Sequence, residues 1–215
     1  MNISIIKKSI YSVGLIALGV TATNVIAAEA ESETRDLDTF TGVLVEGAMS
    51  LEITVGEEQT VMVSTDGGYL DRVETTVEDG VLVIDQTGRR WRDIDVELTI
   101  TMRSMDRFTV EGAADANITG LSADKFTVDI GGAVDLTLEG TCVEATYSIN
   151  GAGDINAKDF ICEKVEVEIN GAGDADVYAS ESIIATLNGI GDVTVYGDPS
   201  SIRPRINGLG SFDMK

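Results

Sequence analysis

The chain has 215 residues, with 37 acidic and 15 basic side chains, a formal net charge of −22 and no histidine. Such an acidic chain is not expected to bind nucleic acid or an anionic membrane surface. The lack of histidine excludes Ser-His-Asp catalysis and histidine-ligated zinc, and the length is sufficient for one domain with a continuous core.

Residues 1–28 have the three regions of a secretory signal peptide. Two lysines precede an uncharged, mostly apolar run over residues 9–20, and small residues follow as far as Ala28. This run is shorter than the roughly 20 residues of a membrane span, so an uncleaved anchor is the weaker interpretation. We expect cleavage after Ala28 or Ala30, export to the periplasm or cell surface, and no membrane span in the mature chain. Cleavage after Ala28 makes the net charge −24.

Residues 38–107 are predicted to be the β-rich N-terminal part of a single domain that spans residues 38–215. Alternating apolar and polar residues, separated by glycine-containing turns, predict short strands in this part. These strands cover residues 51–55, 60–64, 72–77, 81–86 and 95–102. We expect them to cover the first coil of the repeat described below and to protect its edge.

The one basic cluster is Arg89-Arg90-Trp91-Arg92, which lies between two predicted strands. An exposed tryptophan beside arginines would suit an acidic saccharide or a partner protein, because both residue types are frequent in contact hot spots. The alternative, which we favour, is that Trp91 folds back over the core while the arginines pair with surface acids.

Residues 108–215 contain six copies of one four-residue phrase. They read GAAD, GAVD, GAGD, GAGD, GIGD and GLGS, and their first glycines are 18–20 residues apart. A fixed period of this length is typical of a solenoid, in which each coil becomes stable by stacking on the next. An earlier copy at residues 47–50 is followed by 61 residues before the next one, which predicts a first coil carrying an insertion.

Apolar residues recur at three fixed offsets from each first glycine, and polar residues lie between them. They are Val110, Ile130, Ile149, Ile169, Leu187 and Ile206 two residues before the glycine, Ala116, Leu136, Ile155, Ala175, Val193 and Phe212 four after it, and Ile118, Leu138, Ala157, Val177, Val195 and Met214 six after it. A period of two indicates strands with these residues inward, and the glycines and alanines of the phrase are expected in inward or tightly bent positions.

The predicted fold is therefore all-β, a right-handed parallel β-helix of about six coils. Each coil is expected to have two strands joined by the glycine corner and closed by a polar loop, such as residues 179–182 or residues 198–201. An up-and-down barrel or a sandwich is the alternative, although neither predicts the same residue at the same offset.

The phrase Ile-Asn-Gly-Ala-Gly-Asp, at residues 149–154 and 169–174, resembles the glycine-isoleucine-asparagine signature of the putative auto-transporter adhesin, head GIN domain family. The likeness extends over residues 38–215. It implies an exported β-solenoid of unknown function. Residues 103–105 lack the proline and leucine that relatives tend to have before the first repeat. This departure affects the expected turn at that point and not the expected fold.

Two columns of polar residues are expected to run along the solenoid, with neighbours about 4.8 Å apart. The first comprises Asp115, Asp135, Asp154, Asp174 and Asp192, and the second comprises Asn150, Asn170, Asn188 and Asn207. Each aspartate is expected to accept hydrogen bonds from the amides of its own glycine corner, and calcium shared between carboxylates is the alternative. The asparagines are expected to form a hydrogen-bonded ladder. We assign no catalytic, cofactor-binding or metal-binding residue to either column.

Cys142 and Cys162 are predicted to form a disulfide between neighbouring coils. Each lies nine residues before the first glycine of the following phrase, so stacking places the two at the same offset. The expected separation of about 4.8 Å lies inside the range that a disulfide accepts. Export and the even cysteine count agree, while a reduced pair of small corner residues is the alternative.

We expect an exported, non-enzymatic envelope or cell-surface module of the adhesin-like or interaction kind. Its partner would be an unknown protein or glycan, and the chain would be a monomer or a weak homo-oligomer. A calcium-stabilised structural module is one alternative. A polysaccharide-processing enzyme is another, because β-helices host enzymes that use clustered carboxylates. The short loops disfavour the enzyme.

Overall fold

The computed structural model describes residues 30–87 and 95–215, and these residues form fifteen strands of one continuous sheet system. The predicted signal peptide, residues 1–28, and the basic cluster at residues 89–92 lie outside the described residues. The described ranges contain a single-turn 3₁₀ helix at Leu70–Arg72, and no helix in them is long and apolar enough to cross a membrane.

The strands, in chain order, are β1 Ala30–Arg35, β2 Gly42–Val45, β3 Ala48–Val55, β4 Thr60–Asp66, β5 Val73–Glu78, β6 Val81–Gln86, β7 Val96–Met102, β8 Arg107–Val110, β9 Ala113–Ile130, β10 Ala133–Ile149, β11 Ala152–Ile169, β12 Ala175–Leu187, β13 Val193–Tyr196, β14 Ser201–Ile206 and β15 Phe212–Met214.

Successive coils pair in parallel and in the register that the repeat predicts. Ala133 of β10 lies opposite Ala113 of β9 on one side and Ala152 of β11 on the other. Parallel pairing of the same offset in every coil confirms the all-β parallel solenoid, with about five turns against the six predicted, and rejects the barrel and the sandwich.

The polar loops predicted within the coils were mostly wrong. Residues 179–182 belong to β12, where Ala179 pairs with Cys162 and Ser182 with Lys164 of the preceding coil. The chain bends there through small register shifts that keep most backbone groups paired, so it needs no loop. A loop of the predicted kind does occur at residues 197–200, between β13 and β14.

The first coil and its insertion are confirmed. Ala48 of β3 lies opposite Ala113 of β9, so the phrase at residues 47–50 continues the repeat. Within the insertion, β6 and β7 add a parallel layer below β2 and β3, and β5 and β4 then pair antiparallel with β6 and β7. This antiparallel layer covers the lower end of the solenoid, as the sequence predicts.

Strand β1 pairs antiparallel with β4 and has no counterpart among the predicted strands. Its sequence, Ala-Glu-Ser-Glu-Thr-Arg, lacks apolar residues at alternate positions, so hydrophobic periodicity gives no signal for it. Arg35 holds the strand in place, because its Nη2 donates to the backbone oxygen of Leu70 at 2.9 Å.

The core is a stack of inward-facing apolar side chains, and the predicted ladders are buried in every coil except the last. Phe126 and Phe160 meet edge to face inside it, with ring centroids 5.5 Å apart. The first glycine of each phrase is required by close approach of two coils. A Cβ atom at Gly132 would lie 1.9 Å from the carbonyl oxygen of Gly112.

Candidate functional site

An open groove of about 1100 Å³ runs along the solenoid where the four-residue phrases stack. Its lining comes from the second to fourth residues of successive phrases, beginning at residues 48–50 in the first coil and ending at residues 172–173. Residues 95–97, around the start of β7, line its lower end. We call this feature the corner groove. It was not predicted from the sequence, which indicates columns of residues but not the concave surface between them.

The floor of the corner groove is a column of alanines whose side chains face solvent. The alanines are Ala48, Ala113, Ala133, Ala152 and Ala172. All are exposed except Ala48, which is half-buried, so the prediction of inward or tightly bent alanines was wrong. Side chains alternate between the two faces of a strand. Because the third residue of the phrase points inward, the alanine before it points outward.

Packing does not keep this column small. The same offset holds Ile190 and Leu209 in the last two coils, where 59% and 70% of their surfaces are exposed. A large side chain is therefore compatible with the backbone here. The alanines leave an accessible floor over the lower coils, while Ile190 stands in the coil above Ala172, at the upper end of the groove.

One wall of the corner groove is acidic. Asp135 lies opposite Asp115 and Asp154 in the parallel ladder, and Ser50 lies opposite both Asp115 and Glu97. Glu97 thus extends the predicted aspartate column below the first coil. It was missed because the insertion carries no copy of the glycine phrase. The described lining residues include no base, so the groove favours neutral or positively charged ligands.

The upper aspartates accept hydrogen bonds from the next coil. The backbone N–H of Asp174 donates to Oδ1 of Asp154 at 3.1 Å, that of Asp192 to Asp174 at 2.7 Å, and that of Ser211 to Asp192 at 2.7 Å. The prediction that each aspartate bonds its own corner was therefore wrong.

Glycine at the third position of the upper phrases permits this arrangement. Each donating amide directly follows a glycine in a backbone conformation that L residues rarely adopt, with φ of 152° at Gly173, 151° at Gly191 and 153° at Gly210. The phrases with Ala114, Val134 and Gly153 at this position keep regular ladder pairing with the phrase below instead. In the part of the chain that the structure describes, no hydrogen bond engages the carboxylates of Asp115 and Asp135, which remain available to a ligand.

The asparagine column is the predicted ladder. Nδ2 of Asn170 donates to Oδ1 of Asn150 at 3.0 Å, Asn188 donates to Asn170 at 2.8 Å, and Asn207 donates to Asn188 at 3.0 Å. These amides bond to one another along an exposed corner next to the first glycines. Their bonding capacity is partly used within the ladder, so we assign them a structural role.

The cysteines and a row of charges lie outside the corner groove. Cys142 and Cys162 form the predicted disulfide, with Cα atoms 4.5 Å apart. Two residues along, Glu144 lies opposite both Lys125 and Lys164, and its Oε2 is 2.9 Å from Nζ of Lys125. The hydrogen bond and charge of Lys125 lower the pKa of Glu144, and Glu144 in turn raises the pKa of Lys125.

Among residues 30–87 and 95–215, no group of three or more cysteine, aspartate or glutamate side chains is arranged to hold a metal ion. The acids of the groove form a line, each in its own coil, whereas a calcium site gathers six to eight oxygen ligands around one point. The linear arrangement does not supply that ligand set.

Comparison with known proteins finds one matching family and several solved structures of similar fold. Residues 39–199 match the family described as putative auto-transporter adhesin, head GIN domain. The chain is similar to the crystal structure of a putative adhesin from Bacteroides fragilis, with a TM-score of 0.67 and 19% identity over 87% of this chain and 97% of that one.

Putative adhesins from Parabacteroides merdae and Parabacteroides distasonis are also similar, with TM-scores of 0.49 and 0.46 and identities of 15% and 18%. Each covers 87% of this chain, and 96% and 98% of the respective structures are covered. No curated protein matches the chain. At these identities the likeness to the Bacteroides fragilis structure shows the shared fold.

Proposed function

Because the chain belongs to the putative auto-transporter adhesin, head GIN domain family, we propose that it is an exported, non-enzymatic interaction module that holds a protein or glycan along the corner groove. The observation that carries the proposal is the groove itself, an open surface across several coils with an accessible alanine floor. A partner of extended shape can contact the same residue type in each coil.

The charge of the groove narrows the class of partner. Asp115, Asp135 and Glu97 are exposed along one wall, and carboxylates accept hydrogen bonds from hydroxyl and ammonium groups. Neutral glycans and basic protein segments therefore fit the groove, whereas acidic saccharides would be repelled.

Export is supported by two independent features. Residues 1–28 have the pattern of a signal peptide, and the Cys142–Cys162 disulfide is typical of oxidising compartments. Fractionation of cells tests this part of the proposal. The mature protein is expected in the periplasmic, surface or secreted fraction, and recovery of the uncleaved chain from the cytosol would contradict it.

One observation favours a second candidate function, hydrolysis of a polysaccharide. Asp115 and Asp135 lie opposite each other on adjacent strands and their carboxylates make no hydrogen bond among the described residues; neighbouring strands are about 4.8 Å apart, which is near the separation of the two carboxyl groups in retaining glycosidases. We favour the binding function because the loops among the described residues are short and build no deep cleft around the pair. Release of reducing ends from a bound glycan, lost in Asp135→Asn, would establish the enzyme instead.

A glycan array and a panel of basic peptides, probed with residues 29–215, test the binding function. We expect binding to neutral glycans or basic peptides that weakens about tenfold in Asp115→Asn/Asp135→Asn, because this variant removes the two free carboxylates. Asp124→Asn/Asp129→Asn removes two acids elsewhere and serves as the control. Binding that is unaffected by the groove variant, or selective for acidic glycans, would contradict the proposal.

A further inference from the structure

The last coil leaves part of the apolar core uncovered. Ile202 and Ile206 of β14 and Met214 of β15 occupy inward positions, yet 43%, 46% and 40% of their surfaces are exposed. Their partners in the coil below, which include Ile183 and Leu187, are at most 2% exposed. β14 pairs only with β12, and no other described residue pairs with its outer edge.

The open upper edge is basic, although the chain as a whole is strongly acidic. Arg203 and Arg205 lie opposite the outward-facing Ile184 and Thr186 of β12, and therefore point away from the core. Lys215 follows β15 on the neighbouring part of the same coil.

The opposite end of the solenoid is acidic. Its outermost strand on the face that ends in β14 is β5, which carries exposed Glu74 and Glu78 and, among the described strands, pairs only with β6. The outermost strand on the other face is β1, with exposed Glu31 and Glu33. The β14 edge and the β5 edge are therefore complementary in charge, although β15 carries exposed Asp213 beside Lys215.

We propose that the chain associates head to tail with a second copy of itself, the β14 edge of one copy pairing with the β5 edge of the next. Strands β2, β6, β8 and β14 run in one direction and β5 runs against them, so stacking two copies in the same orientation brings β14 and β5 together antiparallel.

Both strands are six residues long. Aligning Ser201 with Glu78 and Ile206 with Val73 superimposes their inward faces, because Ile202 then meets Val77 and Ile206 meets Val73. The same alignment places Arg205 opposite Glu74 on the outer face, a favourable cross-strand pair.

Contact between two β14 edges is disfavoured on the same grounds. An antiparallel pair of these strands centred on Pro204 would place Arg203 opposite Arg205 of the second copy, and like charges in that position are destabilising. Head-to-tail contact also leaves a free end on each copy, so it builds open chains of increasing length, whereas contact between two β14 edges stops at a dimer.

Pro204 limits the strength of the contact. The backbone N–H of Asn207 donates to the backbone oxygen of Leu187 in the coil below. Backbone groups alternate in direction along a strand, so the N–H and C=O groups of residues 202, 204 and 206 point toward the outer edge of β14. Proline has no N–H, so Pro204 donates no hydrogen bond to its partner strand and the middle rung of the new ladder has one hydrogen bond fewer. Association is consequently expected to be reversible, and to require high protein concentration.

Sedimentation velocity on residues 29–215, which retain every described strand, tests the proposal. We expect the sedimentation coefficient to rise with concentration beyond that of a dimer. Arg203→Glu/Arg205→Glu and Glu74→Lys/Glu78→Lys should each weaken association about tenfold, and the chain carrying all four changes should recover it. Lys158→Glu/Arg107→Glu, which reverses two exposed bases away from both edges, is the matched control.

Three outcomes would overturn the proposal. The first is a single monomeric species at every concentration. The second is a loss of association in the arginine variant while the glutamate variant associates as strongly as the parent. That result would indicate contact between two β14 edges or docking of some other acidic segment. The third is failure of the four-change chain to recover association although circular dichroism shows that it retains the β-rich fold.

Discussion

Cys142 and Cys162 lie opposite each other on adjacent coils, with Cα atoms 4.5 Å apart, and a disulfide joins them. Both side chains are buried, and the neighbouring coils place Ala123 and Ala179 at the same offset. The bond therefore ties together two coils that already pair along almost their whole length. Its effect on stability comes mainly from the unfolded chain, in which it closes a loop.

Replacing both cysteines by alanine should lower the free energy of unfolding by about 3 kcal/mol, the value expected for a loop of roughly 20 residues. Alanine is the residue that adjacent coils accept at this position. Urea unfolding of the variant and the parent measures the difference, and a reducing agent should destabilise only the parent. Two alkylatable thiols in the denatured, unreduced parent would contradict the bond.

The contribution of Asp174 to the stability of the fold should come from its acceptor oxygen and not from its charge. Asp174→Asn keeps an oxygen for the N–H of Asp192 and should be nearly neutral, whereas Asp174→Ala removes it and should cost about 1 kcal/mol. Asp135→Ala, at a carboxylate that makes no hydrogen bond in the described structure, is the control and should change stability by less than about 0.5 kcal/mol.

Calcium should leave the melting temperature of the parent unchanged. A rise in melting temperature with calcium that disappears in Asp154→Asn/Asp174→Asn would show that the aspartate column binds the ion, and would reinstate the calcium-stabilised alternative.

Asn170 is an interior member of the asparagine ladder, since it donates to Asn150 and accepts from Asn188. Asn170→Ala should lower the free energy of unfolding by about 1 kcal/mol, because it breaks both bonds. Asn156→Ala, at an exposed asparagine outside the ladder, provides the comparison. Equal unfolding midpoints for the two variants would show that the ladder adds nothing to stability.

Tyr147 should make the protein sensitive to alkali. The side chain is 1% exposed, and burial raises its pKa above the ordinary value of 10.0. Its stabilising contribution is complete below pH 10 and is lost as the pH rises further, because the unfolded chain ionises there while the folded chain resists ionisation.

Above pH 10, the free energy of unfolding of the parent should therefore fall more steeply with pH than that of Tyr147→Phe. The difference between the two slopes should be about 1.4 kcal/mol per pH unit. Urea titrations between pH 8 and 11.5 measure the two slopes. Tyr178→Phe, at a half-buried tyrosine of β12, controls for loss of a phenolic hydroxyl. Parallel slopes in the parent and Tyr147→Phe would contradict the prediction.

Much of the solenoid could be predicted because its repeat is short and its contacts join residues at the same position of neighbouring coils. The register of Cys142 with Cys162, the asparagine ladder and the inward ladders all follow from counting residues between glycines. Strand β1 could not be found this way, because its pairing with β4 depends on backbone hydrogen bonds and on Arg35 rather than on apolar alternation.

The corner groove could not be predicted for a different reason. Whether Ala133 faces inward or outward depends on strand parity through a bend, and small residues are compatible with either direction. Exposed Ile190 and Leu209 at the same offset were the available signal, since such residues at a tight inward position would not fit. Glu97 joins the acidic wall through the fold of the insertion, which has no repeat to count.

The most direct test of the binding function is the affinity of a partner for Ala133→Trp. The substitution fills the floor of the corner groove at an offset that accepts Ile190 and Leu209, so the fold should be preserved. Thr146→Trp places the same side chain at an exposed position of β10 outside the groove. Titration calorimetry with the strongest ligand from the array should show at least about a tenfold loss of affinity for Ala133→Trp and none for Thr146→Trp. Equal affinities for the parent and Ala133→Trp would contradict the account.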